Sequence, residues 1–150
     1  MNILFLIVLG AGSVFGQDDA PPMKVFVGGF GSREGANELR EMVMDRLGKS
    51  GRVTLVYNFL ESDFILTGTG EVTKEKHSPH WEGGHPPYSN ETRIVTNAFV
   101  SAELKTKDNK RIWAADVGPY PMFNRSVASS VAGRTAKKVL SAINKYGKKK

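Results

Sequence analysis

Residues 93–117, RIVTNAFVSAELKTKDNKRIWAADV, are the stretch from which the fold is predicted. In its first half, apolar or small residues alternate with mostly polar ones, and Phe99 is the exception. A period of two is typical of an antiparallel strand that is buried on one face. The polar segment 106–110 contains Asn109, which tolerates a positive φ, and Ile112 and Trp113 then begin a second apolar run. We therefore predict a β-hairpin on which the rest of the chain packs. The predicted inner face of its first strand consists of Ile94, Thr96, Ala98, Val100, Ala102 and Leu104.

Three further strands are predicted before the hairpin. Apolar, β-branched and aromatic runs identify them at residues 23–30, 52–59 and 64–72. In the first of these, Val25 and Val27 fall on one face.

Two amphipathic helices complete the predicted fold. Residues 34–49 and 126–145 carry apolar side chains at the spacing of one helix face, and Ser32 is the predicted N-cap of the first helix. We predict a single α/β (α+β) domain over residues 23–146, in the order β-α-β-β-β-β-α. Its mixed sheet has about five strands, and two helices pack mainly on one face of it.

The amino-terminal segment predicts export. Residues 1–16 hold a short apolar run without charged side chains, and Val14 and Gly16 occupy the positions −3 and −1 before Gln17. This pattern is typical of a secretory signal peptide cleaved near Gly16/Gln17, which predicts a periplasmic or secreted protein. The apolar run is shorter than the about 20 residues of a membrane span, so none is expected in the mature chain. Two alternatives to a cleaved signal peptide are that residues 1–16 remain as an amino-terminal membrane anchor or that they form a buried first strand. Residues 17–22 form a polar, Pro-containing spacer that is expected to be flexible.

The composition excludes several kinds of site. The chain has no cysteine, so lipid attachment through cysteine, disulfide bonds, a thiolate nucleophile and a Cys-ligated zinc are all impossible. Its formal net charge is +6, with a basic tail at residues 147–150. These lysines either keep the protein soluble and complement a helix dipole, or contact an anionic envelope surface or polymer. No nucleic-acid-binding motif is present, so a nucleic-acid partner is not expected. The basic residues near the carboxyl end are Lys137, Lys138, Lys145, Lys148, Lys149 and Lys150.

A long segment before the hairpin, residues 73–92, is predicted to be a loop because it is rich in Pro, Gly, His and Ser. It holds all three histidines of the chain, and imidazole is a good ligand for Zn or Cu. A physiological metal site, adventitious metal affinity and an exposed polar loop remain alternatives. Trp81 in the same loop is a candidate anchor for a partner. The candidate metal ligands are His77, His80, His85 and Glu82.

The glycine-rich segment 28–35 lies between the first strand and the first helix. Its amides suit a phosphate at a helix N-terminus, but the P-loop spacing and its Lys-Ser/Thr ending are missing. We interpret the segment as a tight strand-to-helix turn.

Three motifs resemble those of small exported domains of the TolB amino-terminal type and the CsgG-like fold of curli-secretion lipoproteins. The first is Gly29-Phe30 after a strand and before a helix, and the second is SGRVTLV (50–56) leading to SDFILTG (62–68). The third is the hairpin from VSAEL (100–104) to RIW (111–113), and together they cover most of residues 23–145. The resemblance implies an adaptor-like envelope domain, often without catalytic residues, that contacts other envelope proteins. The chain lacks the cysteine of the lipoprotein members and a pair of additional long strands for a barrel wall, so neither anchoring nor pore formation is carried over.

The sequence thus leads to two functional hypotheses. The first is a non-catalytic, exported, envelope-associated binding or adaptor module without catalytic residues or a required cofactor. Its candidate contact residues are Trp81, Lys148, Lys149 and Lys150. The second is a metal-binding protein or metal-assisted hydrolase that uses the histidines of residues 73–92.

Overall fold

The computed structural model describes residues 21–77, 93–118 and 126–148 of the chain. Within these residues, one mixed sheet of five strands and two α-helices form a single α/β domain. The order β-α-β-β-β-β-α predicted from the sequence is therefore confirmed. The elements are β1 (Met23–Val27), α1 (Ala36–Lys49), β2 (Val53–Val56), a 3₁₀ turn (Phe59–Glu61), β3 (Phe64–His77), β4 (Arg93–Thr106), β5 (Arg111–Val117) and α2 (Val127–Gly147).

The strands lie in the order β2-β1-β3-β4-β5. Strand β1, which lies between β2 and β3, pairs in parallel with both of them, whereas β4 pairs antiparallel with both β3 and β5. The predicted hairpin is formed by β4 and β5, and Asn109 adopts the expected positive φ of 61° in its turn. A bulge shifts the register between Leu104 and Lys105, close to the start of β5.

Both helices pack on one face of the sheet. The alternation in β4 is confirmed from residue 98 onward, because Ala98, Val100, Ala102 and Leu104 are buried on the helix side. Phe99 points to the opposite face and keeps 42% of its surface exposed. Each large apolar side chain buried in such a core contributes roughly 1.5–3 kcal/mol. The helix residues of this core are Ala36, Leu39, Val43 and Leu47 in α1, and Ala128, Val131, Ala132, Ala136, Val139 and Ile143 in α2.

Helix α2 begins where the sequence predicts. Ser126 is its N-cap, and the hydroxyl of Ser126 accepts a hydrogen bond from the backbone N–H of Ser129. Thr135 is fully buried, and its hydroxyl donates to the carbonyl of Val131 at 2.9 Å, so burial leaves this polar group satisfied. Among the described residues, neither α1 nor α2 combines the length and apolar character required of a membrane-spanning helix.

The start of α1 differs from the prediction, and Ser32 is not its N-cap. The N-cap is Gly35, with φ 71° and no side-chain hydrogen bond. The reason is that the glycine segment runs along β3 before the helix begins. The Gly28 N–H donates to the Leu66 carbonyl, and the Val72 N–H donates to the Glu34 carbonyl. These bonds confirm a strand-to-helix turn.

Strand β3 is longer than predicted, and the segment 73–92 is not all loop. Residues 73–77 continue β3 and pair with the first half of β4, from Thr73 opposite Asn97 to His77 opposite Arg93. Lys74, Glu75 and Lys76 are exposed in this part of the strand, so their polar composition resembles that of a loop. Two other strands are shorter than predicted. β1 ends at Val27, and β2 spans only Val53–Val56.

Candidate functional site

Helix α2 presents an unbalanced positive charge. Its 21 residues contain four basic side chains and no acidic one. Lys137, Lys138 and Lys145 are exposed, and Lys148 is the exposed C-cap residue. Because a helix repeats every 3.6 residues, Lys137, Lys145 and Lys148 lie on the same outward side. Lys145 and Lys148 also stand where cations complement the negative end of a helix dipole.

A first groove, called here the helix groove, separates α2 from the end of α1 and the start of β2. It has a volume of about 520 Å³. Arg46 from the last turn of α1 and Arg52 next to β2 extend the positive charge of α2 across this groove. A guanidinium nitrogen of Arg46 donates to the Ser129 hydroxyl at 3.0 Å, which links the two helices at this point. Its lysines are Lys137, Lys145 and Lys148.

A second groove, called here the strand groove, lies between α2 and the start of β5. It has a volume of about 740 Å³. Trp113 and Tyr146 are half-buried in its lining, and the Tyr146 ring meets Phe64 edge-on at a centroid distance of 5.7 Å. The aromatic lining is therefore held by the core. Its basic residues are Lys110, Arg111, Lys138 and Lys145.

The two grooves together form one basic face. No carboxylate lines either groove, and among residues 21–77, 93–118 and 126–148 none of its basic side chains forms an ion pair within 4.0 Å, although the charge of Arg111 also acts on Glu103. A surface on which charges of one sign are clustered attracts molecules of the opposite charge. At 0.1 M salt this attraction extends over about one Debye length, roughly 10 Å. Such an arrangement has the charge that suits an anionic partner. Its eight basic side chains are Arg46, Arg52, Lys110, Arg111, Lys137, Lys138, Lys145 and Lys148.

The structure places one of the predicted contact residues on this face. Lys148 lies in the helix groove and is exposed. Lys149, Lys150 and Trp81 lie outside the described residues, so their roles stay predictions.

The predicted metal ligands are mostly outside the described part of the chain. His77 belongs to the end of β3, contrary to its predicted place in a loop, whereas His80, Glu82 and His85 lie outside the described residues. Within the described ranges, no group of three or more His, Asp or Glu side chains is placed to hold a metal ion. A Zn or Cu site in this segment stays a prediction.

Four residues of the basic face were not predicted from the sequence. Arg46, Arg52, Lys110 and Arg111 come from three separate segments, and only the packing of α2 between α1 and β5 brings them together. The absence of acidic residues from α2 is readable in the sequence, but it gives no signal for these four residues, which lie outside that helix.

The opposite face of the sheet is not covered by either helix. On it, Glu103 forms an ion pair of 2.6 Å with Lys105, its neighbour two residues along β4. The hydrogen bond from Lys105 is the main cause that lowers the pKa of the Glu103 carboxyl, and partial burial opposes it. The charges of Lys105 and Arg111 and a hydrogen bond from Thr67 lower this pKa further.

We expect an NMR titration of the Glu103 side-chain carboxyl to give a pKa below that of an ordinary glutamate. Lys105→Met should move this pKa upward because it removes the principal cause of the shift. Lys74→Met, a change at an exposed lysine far along β3, should leave it unchanged. An unaltered Glu103 titration in Lys105→Met would contradict the assigned cause.

The same pair gives stability a defined pH dependence. A carboxyl with a lowered pKa in the folded state stabilises the protein above its unfolded pKa, and this contribution is lost as the pH falls through the folded pKa. For a partly exposed pair, the contribution is at most about 1 kcal/mol.

No protein-family model matches the chain. No curated protein gives a significant match either. Among solved structures, the chain is similar to a minor lipoprotein from Acinetobacter baumannii, with 13% identity and a TM-score of 0.40 over 82% of this chain and 94% of that one. It is similar to a PelC variant from Paraburkholderia phytofirmans, described as a dodecamer, with 19% identity and a TM-score of 0.44 over 80% of this chain and 84% of that one. It is also similar to the uncharacterized lipoprotein B from Nitrosomonas europaea, with 12% identity and a TM-score of 0.42 over 80% of this chain and 81% of that one. None of the three is named as a TolB or CsgG domain, so that resemblance stays a prediction.

Proposed function

We propose that this protein is a non-catalytic, exported, envelope-associated binding module that contacts an anionic component through its basic face. One observation carries the proposal. Two adjoining grooves on either side of α2 bring eight basic side chains together without a carboxylate in their lining. Export is supported by the signal-peptide pattern of residues 1–16.

The arrangement favours binding of a macromolecule over capture of a small ligand. Five of the eight cations are lysines, whose ammonium groups are point charges on flexible stems and lack the fixed donor geometry of a small-molecule site. The cations are spread over the second half of α2, the end of α1 and the starts of β2 and β5, so they match an extended anionic surface or polymer.

A binding experiment tests this function with a matched pair of variants. Lys137→Gln/Lys145→Gln removes two charges from the basic face, and Lys74→Gln/Lys76→Gln removes two exposed charges from the far end of β3. Phe64, at the start of β3, contacts Tyr146 of α2. Lys76 is twelve residues further along the same strand, which places it roughly 40 Å from that contact. The probes are vesicles of phosphatidylcholine with the anionic lipid phosphatidylglycerol, neutral phosphatidylcholine vesicles, and soluble poly-glutamate.

We expect binding to an anionic probe that weakens with added salt. A lysine near an anionic surface contributes about 1 kcal/mol, which is about fivefold in affinity. Lys137→Gln/Lys145→Gln should therefore weaken binding by roughly 25-fold, while Lys74→Gln/Lys76→Gln binds like the unmodified protein. The proposal is wrong if no anionic probe binds, or if the two double variants lose affinity equally.

A further inference from the structure

Strand β5 forms one edge of the sheet. Within the described residues, β4 is its only pairing partner, so its outer row of backbone N–H and C=O groups faces no other strand. The bulge distorts only its start, and the register with β4 is regular from Trp113 to Val117. The other edge strand, β2, has only four residues. An unpaired edge of this kind is a template for an added strand.

The middle and the end of β5 favour close approach of another backbone. Ala114 and Ala115 at its centre have small side chains, and Ala114 is exposed. Just after the strand, the guanidinium of Arg134 in α2 donates a hydrogen bond to the Gly118 carbonyl. This bond links the end of β5 to α2.

The strand groove lies beside this edge. A strand added next to β5 projects alternate side chains toward the helix side of the sheet, because side chains alternate between faces along a strand. On that side the strand groove is lined by Lys138 and Lys145 and by the aromatic rings of Trp113 and Tyr146. Acidic side chains at every second position of such a strand would be on the same side as these lysines and aromatic rings.

We propose that the β5 edge and the strand groove together receive an extended acidic peptide segment of a partner protein, which adds to the sheet as a further strand. The proposal rests on the proposed function, since it names the anionic partner of the basic face. The directional backbone groups of the β5 edge favour a peptide over a lipid surface, because headgroups offer no matching ladder of donors and acceptors.

The probe is a synthetic peptide of alternating glutamate and valine with blocked ends, as long as β5. The chain has two tryptophans, so a Trp81→Phe background makes the emission report on Trp113 alone. We expect saturable binding that changes this emission. Lys138→Gln/Lys145→Gln should weaken it at least tenfold, and Lys74→Gln/Lys76→Gln should not.

Two N-methylated versions of the peptide separate strand pairing from charge attraction. One carries N-methyl groups on every glutamate and the other on every valine. In a paired strand, only one of these two sets of amides faces β5, so one version should lose binding at least tenfold and the other should keep it. If charge attraction alone causes binding, the two methylated peptides should bind with equal affinity.

Each outcome decides between the two proposals. If both methylated peptides bind like the parent, strand addition is wrong and the anion-binding function stands. If anionic vesicles bind in a lysine-dependent manner and the peptide does not, the face contacts a membrane and strand addition is wrong. If the protein self-associates and the peptide neither binds nor competes with self-association, the proposal is again wrong. If no anionic probe binds, the proposed function itself fails.

Discussion

Replacing Gly35 with alanine is expected to lower the free energy of unfolding by about 2–5 kcal/mol. Two separate costs combine at this residue. Its φ of 71° is in the left-handed region, which an L side chain adopts at a cost of about 1–2 kcal/mol. The new methyl group would also lie 2.5 Å from Cβ and 2.6 Å from Cγ2 of Val72, and overpacking of this kind costs about 1–3 kcal/mol.

The overlap at Gly35 cannot be relieved by a small shift of the loop. The neighbouring Glu34 carbonyl accepts a hydrogen bond of 2.8 Å from the Val72 N–H, and the Leu39 N–H donates to the Gly35 carbonyl at 2.9 Å. Moving Gly35 away from Val72 therefore strains the first turn of α1 or breaks the bond to β3. Val72 is itself buried, so its side chain has little room to turn aside.

Gly51→Ala is the matched control for Gly35→Ala. Gly51 has a similar φ of 66°, but a Cβ added there would meet no atom within 4 Å. Urea unfolding of both variants should show a cost of about 1–2 kcal/mol for Gly51→Ala and a clearly larger cost for Gly35→Ala. Equal costs would show that backbone conformation alone explains Gly35 and that the contact with Val72 is unimportant.

The sequence predicted the hairpin and α2 because their local signals agree with their packing. In β4, burial on one face imposes an alternation that can be read directly from Ala98 to Leu104. In α2, the buried stripe from Val131 to Ile143 repeats at the helical period. The N-cap at Ser126 also has a short-range signal.

The mistaken boundaries arise where long-range contacts decide the conformation. Ser32 has the side chain of an N-cap, but hydrogen bonds between the glycine segment and β3 delay the start of α1 to Ala36. Residues 73–77 are polar, and their strand conformation depends on pairing with β4. Neither effect has a signal in the local sequence.

The candidate site was only partly predictable for the same reason. The lysines of α2 and its end stand close together in the sequence, and Lys148 was identified as a contact residue. Arg46 and Lys110 are far apart in the chain, and they share the basic face only because α1 and β5 flank α2. No local pattern reports such a meeting of distant cations.

Phe30→Ala is expected to lower the free energy of unfolding by about 3–5 kcal/mol, whereas Phe99→Ala should cost about 1 kcal/mol. The substitution is identical, but Phe30 is fully buried and Phe99 is 42% exposed on the uncovered face of the sheet. Truncation at Phe30 leaves a cavity between the glycine segment and β3, next to Gly70, whose N–H donates to the Phe30 carbonyl at 2.8 Å. Urea unfolding measures both changes, and Phe30→Leu provides a milder variant if Phe30→Ala does not fold.

The contrast between these two phenylalanines tests how the glycine segment is held. If the Phe30 side chain anchors the segment on β3, Phe30→Ala should also speed amide hydrogen exchange at Gly70 and Val72, because their N–H groups bond to the carbonyls of Phe30 and Glu34. Phe99→Ala should leave exchange at these two amides unchanged. The contrary result is that Phe30→Ala lowers the stability without faster exchange at Gly70 and Val72 than in the rest of β3. That result would show that the backbone hydrogen bonds hold the glycine segment on β3, and that the Phe30 ring contributes only core packing.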